Sequence, residues 1–329
     1  MLSHRIDDTR QRPRGVTARR PTLLAAVLLA GLLLASGCRD DRSTDVDGRE
    51  SAAAPGAPTV IGTREPQPGQ RRNPDYPWIA GPVWETLGSR VRPPRGYVRV
   101  EVPEHSFAAW LRGLPVYPGR GVIHLYDGTP RRTAGTHVAV LAVDVGHRDL
   151  QQCADAVIRL RAEYLRSVGR SDEIAFRFTS GDLARWRDWR EGLRPRITGT
   201  RVSWARTGSR GSGYADFRAY LDAVFTYAGT ASLEKELAPV ADPARVEAGD
   251  VFVVGGFPGH AMLVLDVAEN PRGERVFLLC QSLEPAQEIH VIQSGRFPRR
   301  TWHKAQSRGH FFPAGWRFSY SVLRRFPDP

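Results

Sequence analysis

Two spacings of apolar residues divide the chain from Tyr76 onward. Period-two alternation, or a short apolar run, marks strands at YVRVEV (97–102), GVIHLYDG (121–128), THVAVLAVDV (136–145) and EIAFRFTSG (173–181). The same signal returns in DVFVVG (250–255), HAMLVLDVA (260–268), RVFLLCQS (275–282) and EIHVI (288–292). Three-to-four spacing marks helices at SFAAWLRGL (106–114), opened by Ser106, and at a longer segment capped by Asp149 and ended by Gly169. Further helices are predicted at 181–192, 214–229 and 232–237. Helices come first and short-linked strands follow, with NPRG (270–273) as a hairpin turn. That order predicts an α+β fold, an antiparallel meander with packed helices, rather than an alternating parallel sheet.

The N-terminus has a different pattern. Six arginines between Arg5 and Arg20 precede an apolar run of 14 residues, Thr22–Ala35. The run falls short of the roughly 20 residues that span a bilayer, and with its basic flank it reads as a secretory signal. It ends in LLASGC, small residues just before Cys38, the pattern of lipoprotein processing. The expectation is a leader over 1–37 and a lipid on Cys38, on the periplasmic face of a bacterial membrane. Arg39 stands where an inner-membrane retention aspartate would be, which favours the outer membrane. Residues 38–75 are rich in Pro, Gly, Ser and charge and read as a tether; residues 76–329 read as one globular domain.

Composition alters this picture little. The formal charge is +12, and without residues 1–37 it is +8, from 41 basic and 33 acidic residues. Only Lys235 and Lys304 are lysines, a bias that reflects base composition more than a binding need. Residues 294–329 carry eight basic residues and one acidic, a surface that suits anionic head groups or wall polymers. No nucleic-acid signature accompanies it, so nucleic acid is not an expected partner. The expected contacts are the membrane, through the lipid, and peptidoglycan or an envelope protein. No cofactor is expected.

Three cysteines are present, and lipidation uses Cys38. Cys153 lies in the first turn or two of the helix capped by Asp149, in DLQQCADAVIRLRAEYL, where a helix N-terminus lowers a thiol's pKa and favours the reactive thiolate. His260 opens the strand HAMLVLDVA and is the candidate base. If NPRG closes the hairpin with Glu269 opposite Glu274, Met262 faces Gln281, and Gln281 lies diagonal to His260 on the same face. Gln281 is then the candidate to orient the imidazole. Gln152, or first-turn N–H groups, would stabilise an oxyanion. By the same alternation Asp266 shares the His260 face as a strand-end or turn residue, and Cys280 points to the other. His290 is a lesser candidate, or simply a solvent-facing strand residue.

Other readings compete. Leu150, Cys153, Val157, Leu160 and Tyr164 form one apolar stripe, on which a cysteine is an ordinary buried residue. Cys153 and Cys280 could also form a disulfide in an oxidising compartment. A metal site from His137, His147, His260, His290, His303 and His310 has no supporting motif spacing. A non-catalytic envelope protein, with Trp186 and Trp189 stacking on glycan, is a further alternative to catalysis.

The stretch AGDVFVVGGFPGHAMLVLDVA resembles the core of papain-like amidases of the CHAP and NlpC/P60 type. That resemblance implies a papain-like fold with Cys at a helix start, His opening a later strand and a polar third residue on the next strand. The chain departs in its 107-residue gap between Cys153 and His260 and in the context DLQQCAD, where those families favour DCSG. A longer match covers roughly 76–325: DLQQCADAVIRLRAEYL, YLDAVFTYAGTASLEKEL, GDVFVVGGFPGHAMLVLDVA and LLCQSLEPAQEIHVI. These resemble a family of bacterial secreted lipoproteins, domain of unknown function 4846, which implies export and a lipid anchor and supplies no activity.

Overall fold

The structure is a computed structural model describing residues 76–79, 85–131, 136–293 and 300–327. The expected leader, Cys38 and the tether lie outside the described residues. Among the described residues the main sheet has nine strands: β1 Val98–Arg99, β2 His137–Val140, β3 Ala238–Pro239, β4 Val251–Val254, β5 His260–Glu269, β6 Arg275–Gln281, β7 His290–Ile292, β8 Trp302–Lys304 and β9 Leu323–Arg325. Its order is β2-β7-β6-β5-β4-β9-β3, with β1 also paired to β5 and β8 to β6, and every pairing is antiparallel. The longer helices among the described residues are α1 Phe107–Gly113, α2 Cys153–Ser167, α3 Tyr214–Tyr227 and α4 Thr230–Glu236. The fold is therefore mixed α+β, as the order of patterns predicts.

The central strands β4, β5 and β6 are buried almost throughout, so both faces of the sheet are covered. On one face, Val251, Val253, Ala261, Leu263, Leu265 and Cys280 pack beneath the helices with Val157, Leu160 and Phe217. On the other, Phe252, Met262, Val264, Phe277 and Leu279 pack against Phe318, Tyr320 and Leu323 of the C-terminal segment. A doubly buried strand needs apolar residues at nearly every position, which explains why β5 reads as a run rather than an alternation.

The register of β5 on β6 corrects one detail of the sequence reading and preserves another. At the turn, Glu269 pairs with Arg275, one residue from the expected Glu274. A bulge between Leu278 and Leu279 then shifts the ladder, and Cys280 pairs with Leu263, as the sequence predicts. The extra residue on β5 also turns its upper half over. Val267, not Asp266, joins Met262 and Val264. Asp266 is fully buried and is held by Arg99 at 2.6 Å and Arg112 of α1 at 2.7 Å, so it is neither on the His260 face nor a surface turn residue.

Other boundaries differ for local reasons. Helix α2 begins at Cys153, not after Asp149, because Gln152 is extended (φ −89°, ψ −158°). Residues 121–128 form only isolated bridges, His124 to Pro130 and Leu125 to Gln287. The predicted helix at 181–192 is a short strand, Leu183–Arg185, followed by a helical turn, Trp186–Arg190. An arginine-rich hairpin, Leu193–Thr198 with Arg201–Arg206, carries too little apolar alternation to read from sequence. Trp186 is buried against Phe217 and Tyr220, a core residue rather than a glycan platform. Among the described residues no helix is long and apolar enough to cross a membrane.

Candidate functional site

The start of α2 is stitched to the loop that follows β6. Asp149 Oδ1 accepts the Ala286 N–H at 2.7 Å and the Gln152 side-chain amide at 3.3 Å. The buried Ser282 hydroxyl reaches the Gln151 carbonyl at 3.0 Å and the Gln287 carbonyl at 2.7 Å. These contacts set the first helical residue, Cys153, against β5, where the N–H of Ala261 faces the thiol and favours its ionised form. Ala261 is one peptide bond past His260.

Cys153 is half-buried, and both it and Cys280 are free thiols. Burial raises the Cys153 thiol above its ordinary pKa; the Ala261 N–H opposes that shift and Asp155 adds to it. Asp155, at the third position of the helix, is itself buried. One oxygen accepts the Gln152 N–H at 3.1 Å and the other has no hydrogen-bond partner. Burial, partly offset by the Gln152 N–H, pushes its carboxyl up to about 8. Aspartate at this helix position is a capping signal, but no sequence feature says that its second oxygen is sealed in, and the reading from sequence missed it.

His260 opens β5 and lies on the face away from the helices, 5.0 Å from the Trp316 ring and 6.1 Å from Phe318. Its Nε2 is 2.9 Å from Gln281 Oε1, the diagonal pair expected from the register. Burial lowers the imidazole's proton affinity and Gln281 partly restores it, so the ring is neutral near pH 7. Gln281 Nε2 meets His290 Nε2 at 3.3 Å, and His290 Nδ1 meets the Glu288 carbonyl at 3.0 Å. His290 is therefore a buried member of this row, not a solvent-facing residue.

The structure thus brings His260, Gln281 and His290 into contact; Cys153 lies on the helix side of β5 against the Ala261 N–H and makes no hydrogen bond to the imidazole. His260 bonds Gln281 alone among the described residues. Cys280, as predicted, points to the helix face, and burial strongly raises its thiol. Gln152 is half-exposed with its amide engaged by Asp149, which leaves the leading N–H groups of α2 as the better-placed donors. Among the described residues no group of three or more His, Cys, Asp or Glu could hold a metal ion.

Helix α2 is anchored from below by a buried charge network. Arg159, fully buried, reaches Glu163 at 2.7 Å, Asp144 at 2.9 Å, Gln151 at 3.0 Å and Tyr214 at 2.9 Å. Burial pushes the Asp144 carboxyl up, but Arg159 and Arg218 outweigh it and hold it at about 2. A cleft of about 590 Å³ opens beside this network, lined by His124, Asp144, His147, Leu150, Arg218 and Glu288 among others. A second, of about 480 Å³, lies between α1 and the segment before β4. Neither is lined by Cys153 or His260.

The class this defines is an α+β protein whose antiparallel sheet carries a buried His–Gln–His row and packs a thiol-headed helix on its other side. The family model described as "Domain of unknown function (4846)" matches residues 87–325, most of the chain, and the protein belongs to that family. No curated protein and no solved structure matches it.

Proposed function

We propose that this protein is an exported, lipid-anchored cysteine hydrolase with a papain-like core, cleaving amide bonds in cell-envelope peptides such as peptidoglycan stems. The observation that carries the reading is the 2.9 Å bond from His260 Nε2 to Gln281 Oε1, with the Cys153 thiol held at the adjoining Ala261 N–H. An imidazole tied at Nε2 can offer Nδ1 to a thiol. His260 would take the Cys153 proton, the thiolate would attack the carbonyl carbon, and the C–N bond would break as His260 protonates the amine. Water, deprotonated by His260, would then release the acid and restore the thiol. The leading N–H groups of α2 suit the oxyanion. Cys153 and His260 make no hydrogen bond in the structure, so the reading requires Nδ1 to close on the thiol in solution and draw off its proton against the burial that raises its pKa.

The test pairs two measurements on the full chain: iodoacetamide labelling near neutral pH, and mass spectrometry of envelope peptides after incubation. Labelling at Cys153 faster than an ordinary thiol, with new amine termini in the peptides, is expected. Both should vanish in Cys153→Ser and fall sharply in His260→Ala. An ordinary labelling rate together with intact peptides would sink the proposal.

A further inference from the structure

The histidine row carries donor–acceptor information in one direction only. It begins at the Glu288 backbone carbonyl, which can accept a hydrogen bond but never donate one. His290 Nδ1, 3.0 Å away, must therefore carry a hydrogen. His290 is buried and burial drives its pKa down to about 4, so the ring is neutral and its Nε2 is a bare acceptor. Gln281 meets that nitrogen at 3.3 Å and must present its NH2 there. The amide's oxygen is then turned to His260 Nε2 at 2.9 Å, which must be the protonated nitrogen. In a neutral His260 the lone pair is left on Nδ1.

We infer that His290 is a positioning residue that, through Gln281, fixes His260 in the Nε2–H tautomer with Nδ1 free to accept a proton. The instruction passes from a backbone carbonyl across β7, β6 and β5, where Gln281 pairs directly with His290. His137 supports it from β2, its ring edge-on to His290 at 6.0 Å and its Nε2 at the Gly121 carbonyl. Without an acceptor at His290, the oxygen and NH2 ends of Gln281 are nearly equal in size and only hydrogen bonding tells them apart. Either end could then face His260, and both tautomers would be populated. The catalytic meaning of the tautomer rests on the hydrolase reading; the tautomer itself does not.

Long-range proton–nitrogen NMR on the ¹⁵N-labelled full chain tests this directly, with His260 and His290 assigned by their substitution. In the unaltered protein, His260 should carry its proton on Nε2 and His290 on Nδ1. The opposite tautomer at either residue would overturn the inference. His290→Phe should give His260 in both tautomers and slow Cys153 alkylation by up to about tenfold, the equivalent of one neutral hydrogen bond. His290→Gln, whose side-chain oxygen can accept from Gln281, should restore the single tautomer and the rate. A single Nε2–H tautomer persisting in a folded His290→Phe protein would also refute the role. If that variant does not fold, the unaltered protein and His290→Gln decide. The expected tautomers with an ordinary Cys153 would uphold the positioning role and reject the hydrolase. A fast Cys153 with His260 still protonated on Nε2 but His290 in the opposite tautomer would reject the positioning role and uphold the hydrolase.

Discussion

Asp155 offers the sharpest test of how the start of α2 is built. Its carboxyl is buried, holds the Gln152 N–H with one oxygen and leaves the other unpartnered. Its pKa is about 8 in the folded protein against an ordinary 3.8. A folded value above the unfolded one means the stabilisation is complete below about pH 4, where both states are protonated. It is lost as the pH rises, because the unfolded chain ionises and the folded chain must hold its proton until about pH 8. Each pH unit in that window costs about 1.4 kcal/mol, so the loss is about 4 kcal/mol by pH 7 and about 6 kcal/mol at full ionisation. Asp155→Asn removes the titration while keeping an oxygen for Gln152. It places an unsatisfied NH2 where the bare oxygen was, a cost of about 1–3 kcal/mol. The variant should therefore be no more stable than the parent at pH 4 and about 1–3 kcal/mol more stable at pH 7. Urea unfolding of both proteins from pH 4 to pH 8 measures the difference, in which titrations common to the two cancel. A difference independent of pH would refute the reasoning, because a buried, proton-holding Asp155 demands a slope.

Further expectations follow from the same geometry. Asp155→Asn also removes the negative charge that disfavours the Cys153 thiolate, so alkylation of Cys153 at pH 9 should be faster in the variant. Arg159→Met should destabilise the fold by about 3–5 kcal/mol in chemical denaturation, since it leaves the buried Glu163 without its arginine partner and Asp144 with Arg218 alone. Gly249 sits at φ +101°, and a Cβ there would come within 2.8 Å of the Phe107 ring. Gly249→Ala should therefore lower the melting temperature by several degrees, corresponding to at least about 1 kcal/mol. Cys280, buried on the helix face, should label only under denaturing conditions, and labelling of the native protein at Cys280 would contradict its packing.

The sequence alone determined the class of the fold and much of the candidate site. Helices before a run of apolar strands with a tight hairpin turn leave an antiparallel α+β arrangement as the way to bury those runs. Alternation along β5 and β6 was enough to pair His260 with Gln281, because side-chain direction follows from position once the register is set. The register was legible by good fortune as well as logic: the hairpin is offset by one residue and the Leu278/Leu279 bulge cancels the offset before the ladder reaches Gln281. Bulges leave no mark in the residue pattern of a doubly buried strand, so the reversal of Asp266 to the helix face, into the grip of Arg99 and Arg112, needed the tertiary structure. So did the late start of α2. Asp149 looks like a cap by its spacing, but its carboxylate is spent on Ala286, a residue 137 positions away, and the helix waits for Cys153. The burial of Asp155 and His290 is likewise a property of what packs around them, which no local pattern encodes. Residue order could name a thiol, an imidazole and an amide, and only the packed sheet decided which of their nitrogens and oxygens face one another.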